Sequence, residues 1–366
     1  MVVLIKDLDE PEEERVIQTL VFCSELKLLI TASENLIKIW KLTKGFNWNR
    51  KPPQILTGHK SIVNCLSYLY LGEAGIILAS GSSSKSSCVK LWFIDNKGVW
   101  DGNKPESLKI ETGKIKSIAM HFLADGGALL AAGGGEYGNN LSVYKLTPKL
   151  QWNEKEPLVL KGFTYWANPI ALHSFNNDKI ILVVSGYWME TFLKLWTFNM
   201  QGNWDRKQPL TLKLPPNEQF EDNYLRSFEI KSFEDNSAIL LASIASSEND
   251  YWICDAGYII AWFFDSAGNV TDENSMVLDS TNDSIAQAIF QILNNDNLLV
   301  ASKITYNQVS VKLFKKISDN WKEQNNQEFK YRKWIKLGCF LNTSSEIFLI
   351  SITENRLISR KVLSTK

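Results

Sequence analysis

Three histidines, five cysteines and thirteen tryptophans carry the most specific side-chain chemistry in this 366-residue sequence. Nucleophilic catalysis needs a Ser, Cys or Thr beside a base, and carboxylate catalysis needs two acids with separated pKa values. His59, His121 and His173 are the imidazoles available, and His121 and His173 stand 52 residues apart. That spacing recurs along the chain, so these two are equivalent positions of a repeat rather than partners in a triad. A metal would need a third convergent ligand, which the sequence does not supply. Cys23, Cys65, Cys88, Cys254 and Cys339 are odd in number and include no Cys-x-x-Cys pair, a usage suited to a reducing cytoplasm. The Gly-rich run 126–138 (GGALLAAGGGEYG) leads into no helix, so it cradles no phosphate; its glycines allow close backbone approach. The expectation is a protein that is not an enzyme and carries no cofactor and no metal.

Charge narrows the partners. Lys and Arg number 40 and Asp and Glu number 40, which removes the sequence-independent attraction to nucleic acid or an anionic membrane. The opening MVVLIKDLDEPEEER turns acidic before a signal peptide's apolar region could form. No run reaches the roughly 18 apolar residues of a membrane span. These features predict a soluble, cytoplasmic chain, monomeric by itself.

The tryptophans point to the elements that position everything else. Short apolar alternations close on an aromatic at Trp40, Trp92, Tyr144, Trp196, Trp262 and Phe314, with a degenerate seventh copy at Arg360. The first four are 52 residues apart, followed by gaps of 66, 52 and 46. Trp48, Trp100, Trp152 and Trp204 keep the same 52-residue period, and so do Pro53, Pro105, Pro157 and Pro209. Each unit reads as four short strands with the proline in the outermost, where a missing N–H costs no central ladder bond. Repetition of such units around an axis is a propeller.

The expected fold is therefore all-β: a seven-bladed β-propeller with four antiparallel strands per blade. The blades run at about 15–58, 59–110, 111–162, 163–214, 215–279, 280–329 and 330–366. The N-terminal strand 2–7 pairs with the last blade to close the ring. A residue recurring at one position in blade after blade packs rather than binds, so the periodic Trp residues are expected to seal neighbouring blades.

The K-[IL]-W strand endings, Gly58-His59 and TASENLIKIW, with Glu34 where Asp is usual, resemble the WD-repeat family over nearly the whole chain. The chain departs from that pattern in having no Asp after the closing aromatic, one Gly-His element and a long period. The resemblance implies a non-enzymatic protein-interaction scaffold.

Function is sought where the period breaks. Fourteen extra residues separate Trp196 from Trp262, in two insertions of seven. PPNEQFEDNY enters the fifth blade's first strand, and SSENDYWICDAG joins its second and third strands. Both connections emerge on one face, and loops on a rigid scaffold carry function. Phe163, Tyr165, Trp166, Tyr187 and Trp188 from blade four join Phe220, Glu221, Asp222, Tyr224, Asp250, Tyr251 and Trp252 from blade five. Aromatics among acids suit a partner peptide or protein segment carrying Lys or Arg. The competing readings are that these aromatics pin their own loops, or that a propeller enzyme or small-ligand binder has its site at the central channel mouth.

Overall fold

Apolar runs rich in Val, Ile and Leu, punctuated by Gly, Asn and Asp, favour pleated strands over helices. The computed structural model describes residues 2–3, 17–42, 52–83, 88–109, 113–134, 141–151, 157–163, 167–176, 178–186, 192–205, 207–214, 222–247, 256–271, 275–281, 285, 287–304, 308–317, 320–330, 335–342, 346–353 and 356–364. Among them are 28 strands and one 3-10 turn at Gly72–Ala74.

The strands form four-stranded antiparallel sheets in chain order. After β1 (Val2–Val3), the first sheet is β2 (Ile17–Cys23), β3 (Leu28–Ser33), β4 (Leu36–Lys41) and β5 (Gln54–Leu56). The second is β6 (Val63–Tyr70), β7 (Ile76–Ser82), β8 (Cys88–Ile94) and β9 (Glu106–Lys109). The third is β10 (Ile115–Phe122), β11 (Ala128–Gly134), β12 (Leu141–Leu146) and β13 (Leu158–Leu160). The fourth is β14 (Ala167–Phe175), β15 (Lys179–Gly186), β16 (Phe192–Asn199) and β17 (Leu210–Lys213).

The fifth sheet is β18 (Asp222–Ser232), β19 (Ala238–Ser247), β20 (Ala256–Phe264) and β21 (Met276–Thr281). The sixth is β22 (Gln287–Asn294), β23 (Asn297–Lys303), β24 (Gln308–Ile317) and β25 (Asn320–Lys330). The seventh joins β26 (Ile335–Asn342), β27 (Glu346–Thr353) and β28 (Arg356–Ser364) to β1, with Val2 opposite Arg360 and Val3 opposite Ser359. First strands touch in succession from β2 through β6, β10, β14, β18 and β22 to β26, and β26 also touches β2.

The core lies in the seams between sheets. Trp92 packs among first-sheet residues such as Leu28 and Ile37, and Trp262 among fourth-sheet residues such as Ile181 and Val183. Tyr144, Trp196 and Phe314 do the same against the second, third and fifth sheets. Burying one such ring is worth about 1.5–3 kcal/mol, so the strand-closing aromatics hold the seams. Gly81 and Gly133, 52 residues apart, let the next sheet approach. A Cβ on Gly81 would stand 2.4 Å from Ile115 Cγ2, and one on Gly133 would stand 2.2 Å from the Ala167 carbonyl oxygen.

Two details depart from expectation. Pro53, Pro105, Pro157 and Pro209 each stand one residue before the outermost strand, not in it, a position that asks for no ladder donor. In the fifth sheet, Asp222–Tyr224, Ser246–Ser247 and Ala256–Gly257 are paired strand where the spacing predicted loop.

Turns between first and second strands, and between third and fourth, emerge on one face, here called the turn face. The remaining connections emerge on the opposite, loop face. Third-to-fourth turns repeat one device: Asp95 accepts from the Lys97 and Val99 amides, Asn199 from Gln201 and Asn203, and Asp265 from Ala267 and Asn269. Such side-chain acceptors stabilise a tight turn locally.

Candidate functional site

On the loop face, Phe163 is the expected site residue whose side chain is best defined, and it faces inward. It is 6% exposed, stacks on Phe192 at 6.4 Å and meets Trp196 at 5.9 Å. Lys194 covers both Phe rings and donates to the Gly162 carbonyl. Phe163 is thus part of the seam, and its expected role as a partner contact is corrected. The entry segment needs an apolar anchor, and a ring beside Trp196 supplies it.

Asp222 and Tyr224 open β18 opposite Ser247 and Ala245 of β19. At 11 and 10 residues, β18 and β19 outrun the first and second strands of every other sheet, whose longest examples are β14 at 9 and β15 and β27 at 8. The extra length lies at the loop-face end. Tyr165, Trp166, Tyr187, Trp188, Phe220, Glu221, Asp250, Tyr251 and Trp252 lie outside the described residues.

The turn-face ends of the first strands hold a pairing that the spacing concealed. His173 Nε2 lies 2.8 Å from Ser232 Oγ across neighbouring first strands. The two are 59 residues apart instead of 52 because a seven-residue insertion intervenes. An open cavity of about 460 Å³ adjoins them, lined also by Lys231, Glu234, Gln291 and Asn294. Burial, reinforced by the charge of His121, pushes the His173 pKa down to about 4. Burial lowers His121 as well.

A general base works best with a pKa near the operating pH and a second group fixing its tautomer. His173 is depressed well below that range. On the same strand as Ser232, the carboxylate Glu229 is engaged by Lys231 at 2.9 Å. This arrangement supports a structural hydrogen bond better than an activated serine. Among the described residues no group of three or more His, Cys, Asp or Glu could hold a metal ion.

A second polar constellation is buried. His59 Nε2 lies 2.7 Å from Ser80 Oγ, and Trp92 Nε1 donates to the same hydroxyl at 2.8 Å. Burial first, and then the charge of Lys90, depress the His59 pKa to about 4. The first sheet has a two-residue counterpart in which Trp40 Nε1 donates to Thr31 Oγ1 at 3.0 Å. In the fifth sheet Ala242 takes the place of Ser80, and the buried Trp262 Nε1 has no acceptor among the described residues.

Comparison with known proteins agrees with this geometry. Residues 50–92, which contain the His59–Ser80–Trp92 chain, match the WD40 family described as WD domain, G-beta repeat. Among solved structures, the chain is similar to BBS1N in complex with ARL6DN, with a TM-score of 0.56 and 12% identity. That alignment covers 100% of this chain and 97% of that one. No curated protein matches. The fold is thus that of a WD-repeat-like propeller, and among the described residues no helix is long and apolar enough to cross a membrane.

Proposed function

We propose that this chain is a non-enzymatic protein-interaction scaffold that binds a segment of a partner protein on the loop face of its fourth and fifth blades. The observation that carries this reading is the extension of β18 and β19 beyond their counterparts, which raises Asp222 and Tyr224 above the general level of that face. Strands that outrun a repeat's common length hold loops in place, and positioned loops are where scaffolds bind. Trp166, Trp188 and Trp252 serve as apolar anchors, and Glu221, Asp222 and Asp250 as partners for Lys or Arg. A WD40-type repeat and a propeller neighbour solved with ARL6DN bound support a protein as partner.

The same reading makes the chain a monomer acting in the cytoplasm, without nucleic-acid or membrane binding. Two free, buried thiols, Cys23 and Cys65, fit a reducing compartment, and burial raises their pKa values to about 11 and about 12.

Replacing Trp188 and Trp252 together by Ala should abolish co-purification of a native partner while near-ultraviolet circular dichroism stays that of a folded protein. Retained partner binding by the folded double variant refutes the assignment of this face.

A further inference from the structure

Indoles recur in the seams on the turn face. Trp100 packs against the core between the first and second sheets and meets Trp92 edge-on at 5.5 Å. Trp204 packs against the core between the third and fourth. Between the fifth and sixth, Trp321 at the start of β25 lies between Phe233 and Phe263, with centroids at 6.2 and 6.5 Å and interplanar angles of 21° and 6°. A long side chain accompanies each indole, from the residue after the closing aromatic of the preceding sheet. Lys41 donates to the Lys97 carbonyl, Lys145 donates to the Gln201 carbonyl, and Phe263 is the ring stacked on Trp321.

The seam between the fourth and fifth sheets has neither. Val270 pairs with Phe264 as Trp100 pairs with Ile94 and Trp204 with Phe198, and Thr197 follows the closing Trp196. A cavity of about 480 Å³ opens there, lined by Val270 and Thr197 themselves and by Ile181, Leu195 and Leu210. These walls match the ones beside Trp204, because Ile181, Leu195 and Leu210 stand in the register of Leu129, Val143 and Leu158. Ile181 and Leu195 are buried, but Leu210 is 40% exposed, so one apolar wall meets solvent. At the rim, Lys179 donates to the Gly268 carbonyl and Asn269 Oδ1 and lies near Asp205 and Asp265. Lys207, beside it, is exposed.

We propose that this cavity docks the indole of a tryptophan presented by an acidic segment of a partner protein. An indole is the group that the same walls already hold at Trp204, and Val270 and Thr197 are the two departures that leave the place open. A large ring entering a preformed apolar pocket is the kind of anchor that dominates protein interfaces. Asp205, Gln208 and Asn269 at the rim offer acceptors to its N–H. The Lys179 ammonium is already engaged, so Lys207 is the rim cation that meets the segment, and it favours Asp or Glu beside the tryptophan. This site is on the face opposite to the loop-face surface, so the two readings stand or fall separately.

The test uses the full chain with ¹³C-labelled Leu and Val methyl groups and the probe acetyl-Gly-Asp-Trp-Asp-Gly-amide. The Leu210 methyl signals, identified by their disappearance in Leu210→Met, should move upfield saturably under the ring current of the docked indole. The same peptide with Ala for Trp should leave them in place, and Lys for both Asp should weaken binding at least tenfold. Val270→Trp fills the cavity from within, as Trp204 does in its own seam, and should raise the thermal midpoint and abolish the shift. Thr197→Lys restores the lysine that follows Trp40 and Tyr144, should weaken binding at least tenfold and serves as an independent variant. The proposal is overturned by a shift that does not saturate, by equal binding of the Ala or Lys peptide, or by 3-methylindole binding as tightly as the Trp peptide. It is equally overturned by a lowered midpoint or a retained shift in Val270→Trp, by unchanged affinity in Thr197→Lys, or by Leu210 signals of the free chain that move on dilution, which would place a second copy in the cavity. Trp188→Ala with Trp252→Ala should leave this titration unchanged, whatever it does to the loop-face partner.

Discussion

Ser80 serves two neighbours at once, and its hydroxyl is the hub of the buried chain from His59 to Trp92. Removing it leaves two buried polar atoms without partners, each costing about 1–3 kcal/mol. Ser80→Ala should therefore destabilise by about 3 kcal/mol in urea unfolding. The reverse change is available at Ala242, whose register against the closing Trp is that of Ser80. Ala242→Ser gives Trp262 Nε1 an acceptor and should stabilise by about 1 kcal/mol. His59 adds a pH dependence. Its folded-state pKa of about 4 lies below the ordinary 6.5, so the neutral ring belongs to the fold. The stability it contributes is complete above pH 6.5 and is lost as pH falls toward 4, by about 3 kcal/mol at 1.4 kcal/mol per unit. Urea midpoints measured between pH 7.5 and 4.5 should fall less steeply in His59→Gln than in the wild type.

Among the elements, the outer strands of the fifth and sixth sheets are tied by one half-buried cluster. Lys312 Nζ lies 2.7 Å from Asp279 of β21 and 3.0 Å from Glu323 of β25. Burial works against the Lys312 charge, yet hydrogen bonds to Asp279 and Glu323 outweigh it and raise the pKa. This stabilisation is therefore full below the ordinary lysine value of 10.5 and is lost as pH rises through the raised one. Lys312→Met strands Asp279 and should cost roughly 2–3 kcal/mol, less than a fully buried pair because Glu323 is 41% exposed. At the seventh sheet, β1 covers an edge that would otherwise be open. Deleting residues 2–7 should lower the thermal midpoint by at least ~3 °C, and a wild-type-like melt would show that β1 is dispensable.

Across the whole molecule, the arrangement of four-stranded sheets was legible because Trp40, Trp92, Trp196 and their equivalents occupy one register position that has one packing job. Phe163 was misjudged because the sequence places an aromatic in a connection without saying whether it turns inward, and Trp196 decides that. The lengthened β18 and β19 looked like inserted loop because inserted residues carry no sign of whether they extend a ladder. The pairing of His173 with Ser232 escaped notice because an insertion shifts their spacing, and Trp321 because its partners lie across a sheet boundary.

The pairing of β1 with β28 has a mechanical consequence. Val2 sits opposite Arg360 and Val3 opposite Ser359, so the outward ends of the two strands leave this pair at the same side. A load applied there peels the strands apart one hydrogen-bonded pair at a time, instead of shearing all of them together. A molecule whose seams resist heat collectively is thus expected to open at low force when pulled by its ends, unrolling from the seventh sheet as a clasp gives way.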